Sequence, residues 1–420
     1  MNSFDVMGKR IPRHDALLQV TGKLIYGDDI YRPNMLYAAA TYSEHAHAKI
    51  LAIDTSLAEK VPGVKGIITA QDVPLNRFGA SHKDQPILAD DKVRHKGDAV
   101  AVVAGETLKA AREGAKKIRV KYEPLEAVFS PREAIQEGAP LVHQNSNIAD
   151  HIKIRKGDVE KGFQEADFIL EEEFSTQKVE QSPIEPHVAL AEIENDGKLV
   201  IYTSNSRPFS YANQIAKVLN LPMHKFQIKT PAVGGGFGGK NEILLEPWVA
   251  LLAFKTKRPV KMTFTREEEF TASTVRHPYL MKYKTGFKKD GTLTARQVEL
   301  ISDSGAYVAL GKETLTKAAV HGAGPYHIPH VKVDAYLVYT NNIVGGAMRG
   351  FGVPQVCFAH ECHTDSIAAK LGISPVQIRM INMYGAYGET PTGQTIMANP
   401  LRATFQRALE LYGGNWRKEG

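Results

Sequence analysis

Residues 232–242, AVGGGFGGKNE, set Gly234, Gly235, Gly236, Gly238 and Gly239 around one phenylalanine and beside Lys240. Glycine lets backbone N–H groups approach a ligand closely, so this run is a candidate anion cradle. Two nucleotide motifs overlap it and neither is complete. Gly234-x-x-x-x-Gly239-Lys240 is most of a P-loop, but Asn241 stands where that motif needs a magnesium-binding Ser or Thr. Gly234-x-Gly236-x-x-Gly239 has dinucleotide spacing, but no acid follows about 20 residues on to meet a ribose. A tight turn without any ligand would also use these glycines. A second loop, VGGAMRGFGVPQ at residues 344–355, sets Arg349 and Phe351 between glycines. Arginine offers a planar fork for oxyanions, and an aromatic ring beside it can stack on a flat ligand. Two such loops, one carrying Phe237 and the other Phe351, suggest two walls of one site. The plainer alternative is that both rings are core residues.

The elements that must hold these loops read as a mixed α/β protein. Residues 20–130 alternate strands and helices: MLYAAATYS, KILAIDTS and the buried-strand pattern DAVAVVAGE, then the amphipathic helix TLKAAREGAKK. Residues 131–155 show few periodic apolar positions and read as a linker. Beyond 156, ADFILEEEFSTQ, GKLVIYTSN, KFQIKT and PVKMTFTREEE read as strands, while FSYANQIAKVLN, EILLEPWVALLAFKT (through Pro247) and VCFAHECHTDSIAAKLG read as helices. A long hairpin is expected to turn at Asp290-Gly291.

Bulk properties narrow the function classes. The 420 residues carry a net charge of +6, spread along the chain with no dense basic block, so no nucleic-acid partner is expected. Cys357 and Cys362 are too few for a disulfide scaffold or an iron–sulfur cluster. No run approaches the ~18 apolar residues of a membrane span, and the N-terminus lacks a signal-peptide core. A cytoplasmic protein without membrane partners is the expectation.

VTGKLIYGDDI, SEHAHAKILAIDTS and VPGVKGIITAQDVP, followed in order by EPHVALAEIE, GGGFGGK, DSGAY and AMRGFGVPQ, resemble the molybdopterin-binding subunit of the xanthine dehydrogenase family of molybdenum hydroxylases. The resemblance implies an α/β-hammerhead domain over 1–130, a linker over 131–155, and the first half of a molybdenum cofactor-binding domain with mixed sheets over 156–420. It implies molybdenum held through molybdopterin, expected as the cytosine dinucleotide, near Phe237 and Arg349. Gly235, Gly236, Phe237, Gly238, Arg349, Gly350 and Ser204 would serve the cofactor, with Phe237 and Arg349 the catalytic pair. Phe351, Asn241, Lys317 and Arg207 would serve the substrate. The implied reaction is hydroxylation of an electron-poor ring carbon with water as oxygen source, the metal generating the nucleophile and the protein positioning it.

The departures from the family pattern are informative. Ser204 stands where many members carry a glutamine beside the metal; either it reaches through a water or the register is shifted by a residue or two. Asn241 replaces the glutamate that purine-specific members place after the GGGFGGK lysine, and Lys317 replaces an arginine. A cation at Lys317 or Arg207 would suit a carboxylate-bearing ring, although both could be surface charges. The family's catalytic chain continues well past this stretch, and Glu389 in YGETPTGQ precedes the position of its general base. A base glutamate is therefore expected on a second molybdopterin subunit, with [2Fe-2S] and FAD on further subunits. The resulting expectation is nicotinate converted to 6-hydroxynicotinate, with electrons passed to NADP. Purine, other N-heteroaromatic or aldehyde hydroxylation are alternatives, as is a P-loop-like nucleotide-binding or non-catalytic assembly subunit. Lys240→Ala is not expected to abolish turnover as it would in a P-loop enzyme, whereas Arg349→Ala is expected to cripple it.

Overall fold

A computed structural model describes residues 5–397 and 399–413; the last residues of the expected 156–420 domain, 414–420, lie outside the described residues. The fold is mixed α/β and is built on two large sheets. The seven-stranded sheet runs in the order Phe226–Lys229, Leu199–Thr203, Val188–Ile193, Val260–Thr263, Leu36–Tyr42, Ala99–Gly105, Val64–Thr69. Strands from the first 130 residues and from beyond 156 thus share it, joined where Leu36 pairs in parallel with Val260. Ala99–Gly105 is buried at every position, as a strand covered on both faces should be, so its sequence runs apolar instead of alternating. Helices Pro208–Leu219 and Glu246–Thr256 pack against this sheet through Ile215, Trp248 and Leu252, while Leu108–Lys117 contributes Ala111 and Ala115 to a smaller core with Ala101 and Val103. The remaining early strands, Lys92–Val93, Ala48–Asp54 and Arg119–Pro124, form a separate three-stranded sheet.

The five-stranded sheet runs Ile148–Lys156, His330–Tyr339, Leu293–Gly305, Tyr279–Phe287, Phe168–Ser175. The expected hairpin joins two of these strands, and Gly291 takes φ +89° at its turn, in the region only glycine adopts freely. Helices Gly311–His321 and Val353–Leu371 pack on this sheet, burying Leu315, Val356 and Ile367 beside Tyr283 and Leu337. Among the described residues no helix is long and apolar enough to cross a membrane.

Two local readings differ from the structure. Helix Glu246–Thr256 begins at Glu246, so Pro247 sits in its first turn, where a missing N–H costs nothing, and EILL stays outside. Residues 131–155 carry the short helix Pro131–Ala134 and most of the strand Ile148–Lys156, which pairs along 331–338. That strand lies at a sheet edge with mostly half-buried positions, so polar residues interrupt its pattern.

Candidate functional site

The first glycine loop is built on a carboxylate hub. Glu185 accepts hydrogen bonds from Gly234 N (2.8 Å), Gly27 N (3.2 Å) and Lys240 Nζ (2.7 Å). The Lys240 side chain is 0% exposed and that of Glu185 11%, so the pair is an internal strut. Burial holds the Lys240 ammonium below its ordinary pKa, with Glu185 opposing the shift. The lysine is therefore turned away from any ligand, which removes the P-loop reading on geometry as well as on Asn241. Below the loop, His187 places Nδ1 2.9 Å from Glu269 and Nε2 3.2 Å from the Gly239 carbonyl. Burial pushes Glu269 up, but the hydrogen bonds from His187 outweigh it and leave the carboxyl below its usual range. Glu185 and His187 both lie in the EPH segment, whose order pointed to the family but whose role in supporting the loop no local pattern reveals. The loop also does not open the following helix directly: a single turn, Gly239–Asn241, intervenes before Glu246. Its anion-binding capacity therefore rests on its own N–H groups and not on a helix end.

The two glycine loops meet backbone to backbone. Arg349 N donates to the Phe237 carbonyl at 2.8 Å. A Cβ on Gly238, whose φ is +112°, would stand 2.5 Å from the Ala347 carbonyl oxygen. Gln181 Nε2 donates to that same oxygen at 2.7 Å, while its Oε1 is buried without a partner. Gly235 and Gly350 also have positive φ, and so do Phe237 (+51°) and Phe351 (+54°), a conformation that non-glycine residues adopt at a cost of roughly 1–3 kcal/mol. Gly238→Ala is accordingly expected to force the loops apart. Metal content per protomer by mass spectrometry should fall several-fold, and wild-type occupancy would refute the close-contact account.

At the junction, the N–H groups of Gly235, Gly236, Phe237 and Gly238 have no hydrogen-bond partner among the described residues. Phe237 is 52% exposed, and the exposed Arg349 guanidinium has no partner among the described residues. Its backbone, by contrast, is clamped: Arg276 donates to the Arg349 carbonyl at 2.7 Å. Ser204 is 1% exposed with an unpartnered Oγ; Ser206 is the serine that meets the loop, through its N–H to the Lys240 carbonyl (2.9 Å) and beside Gly236. Free N–H donors and an unpaired guanidinium form a cradle for an oxygen-rich, anionic group. That donor set fits a molybdenum–pterin.

Next to the cradle, Arg207, Asn241 and Phe351 line one cavity of about 640 Å³. Lys317 Nζ lies 5.5 Å from the Phe351 ring centroid. Three of the four residues expected to serve a substrate thus line one cavity, and Lys317 touches it only through the Phe351 ring. Glu242 and Glu313 line the same cavity and were missed, since neither belongs to a recognisable motif. Glu389 lies elsewhere, on the small hairpin Tyr387–Glu389 and Thr395–Met397.

Comparison with known proteins places the chain in a family. The molybdopterin cofactor-binding domain family matches residues 142–383, and the a/b hammerhead domain of aldehyde oxidase and xanthine dehydrogenase matches residues 21–126. The nicotinate dehydrogenase large molybdopterin subunit of Eubacterium barkeri is 39% identical over 98% of both chains. A probable xanthine dehydrogenase subunit of Bacillus subtilis is 39% identical over 88% of this chain and 50% of its own length. The solved aldehyde oxidoreductase of Desulfovibrio gigas superposes with a TM-score of 0.91 at 34% identity, over 96% of this chain and 46% of that one. The chain therefore spans nearly all of the first relative but only about half of the other two. On fold, loop geometry and these similarities together, the chain belongs to the xanthine dehydrogenase family of molybdenum hydroxylases, as a molybdopterin-binding subunit.

Proposed function

We propose that this subunit hydroxylates nicotinate to 6-hydroxynicotinate within a larger complex. The observation that carries the reading is the cavity beside the cradle, where Arg207 supplies positive charge beside the Phe351 ring, with Lys317 outside the lining and 5.5 Å from the centre of that ring. A flat anionic heterocycle could stack on Phe351 while its carboxylate meets a cation. The absence of a carboxylate at Asn241 fits the same substrate, and the similarity to the Eubacterium barkeri subunit over nearly its full length supports it. The cofactor would be molybdopterin in its cytosine dinucleotide form, held by Gly235, Gly236, Phe237, Gly238, Arg349 and Gly350. When bound, it supplies water activation and two-electron acceptance. A second molybdopterin subunit completes the site and contributes a glutamate base; separate [2Fe-2S] and FAD subunits carry electrons to NADP. The similarity to the Bacillus subtilis protein favours a purine as the second reading.

The test is turnover by the assembled complex, purified with its molybdenum content measured. Nicotinate-dependent NADP reduction is expected. Activity on hypoxanthine with none on nicotinate would transfer the proposal to purines, and a complex without stoichiometric molybdenum would remove it.

A further inference from the structure

The candidate substrate cavity contains two acids that this reading leaves without a task. Glu242 Oε1 and Glu313 Oε2 are buried and have no hydrogen-bond partner among the described residues. An unsatisfied buried oxygen is costly, so such an atom marks a place where a ligand atom or a proton belongs. Glu242 follows the glycine-loop turn directly, and its backbone carbonyl is held by Tyr211 Oη at 2.5 Å. Glu313 projects from the first turn of helix Gly311–His321. The charged groups that face Glu242 are Glu313, Arg207 and Asp84, with the Leu310 backbone against it.

We propose that Glu242 is a specificity-determining residue, a neutral carboxylic acid that donates a hydrogen bond to the ring nitrogen of a heteroaromatic acid whose carboxylate is taken by Arg207. This rests on the substrate class proposed above. Three physical points support it. Glu242 and Arg207 line the same cavity as Phe351, the stacking face, so donor, cation and ring wall converge on one ligand-sized volume. A carboxylate at Glu242 would repel an anionic substrate, whereas the acid form supplies the O–H that an aromatic nitrogen can accept. Burial pushes the Glu242 carboxyl up to about 8, with Glu313 and Asp84 adding to the shift while Arg207 and Leu310 oppose it. The acid is then the neutral-pH form, and the donor is lost as pH rises through about 8.

The test is calorimetric titration of the assembled complex, without electron acceptor, with nicotinate and with benzoate, which has the carboxylate but no ring nitrogen. At pH 7 the wild type should prefer nicotinate by about tenfold, the worth of one good hydrogen bond, and the preference should fade as pH rises past about 8. Glu242→Gln should keep the preference, because the amide still donates, and lose its pH dependence. Glu242→Ala should abolish the preference while leaving benzoate affinity intact. Glu313→Gln should move the pH break downward by removing the neighbouring charge. If nicotinate binds and is turned over but Glu242→Ala still discriminates, the inference falls alone. If neither acid binds the wild type, the anionic-substrate reading falls and takes the inference with it.

Discussion

Arg349→Ala should lower kcat of the assembled enzyme by ~10²–10³-fold, the usual effect of removing one positioned donor to developing charge. The melting temperature should not move. The reason is a division of labour within the residue. The Arg349 backbone is fixed by its N–H to Phe237 O at 2.8 Å and by Arg276 on its carbonyl at 2.7 Å, so the loop does not depend on the side chain. The guanidinium is exposed and has no partner among the described residues, so truncation breaks no internal contact. Arg349→Lys keeps the charge but loses the planar fork and should recover only part of the rate. Steady-state kinetics with thermal denaturation and molybdenum content separate the outcomes. Wild-type kcat with full metal content would show that Arg349 is a bystander, and a large drop in melting temperature would show that its role is structural.

Lys240→Ala should act in the opposite way, on stability first. Its ammonium is 0% exposed and 2.7 Å from Glu185, and removing one partner of a buried pair costs about 3–5 kcal/mol because the other charge is left uncompensated. At about 2–4 °C per kcal/mol for large domains, the melting temperature should fall by on the order of 10 °C. Any loss of turnover should follow from collapse of the glycine loop and should be accompanied by loss of metal. This adds a structural role to the expectation drawn from the motif alone. The lysine points inward as a strut and not at a phosphate, and its partner Glu185 also holds Gly27 and Gly234. Lys240→Met combined with Glu185→Gln should recover part of the stability by removing the stranded charge. A Lys240→Ala variant with unchanged melting temperature that loses only nucleotide binding would restore the P-loop reading.

Much of the element inventory was legible in the chain because its signals are local. The Asp290-Gly291 turn, the run AVAVVAG and the helix Pro208–Leu219 each follow from backbone preference and the period of burial. Pro247 and residues 131–155 were harder to place, since a proline fits a first turn as readily as it breaks a helix, and an edge strand carries a weak pattern. The glycine loops were legible as a candidate site only as a pair, since a tight turn would use the same glycines and the second loop added Arg349 and Phe351.

By itself, then, the sequence determined most of the elements, the two loops and the residue types able to bind an anionic cofactor and a flat ring. Only the tertiary structure decided which of those residues face one another. It joined Leu36–Tyr42 to Val260–Thr263 in one sheet, pressed Gly238 against Ala347, and turned Lys240 inward onto Glu185. It also set Glu242 and Glu313 into the cavity of Arg207 and Phe351. Each of these is a contact between residues distant in the chain, fixed by strand pairing and burial, and no local period or motif encodes such a meeting.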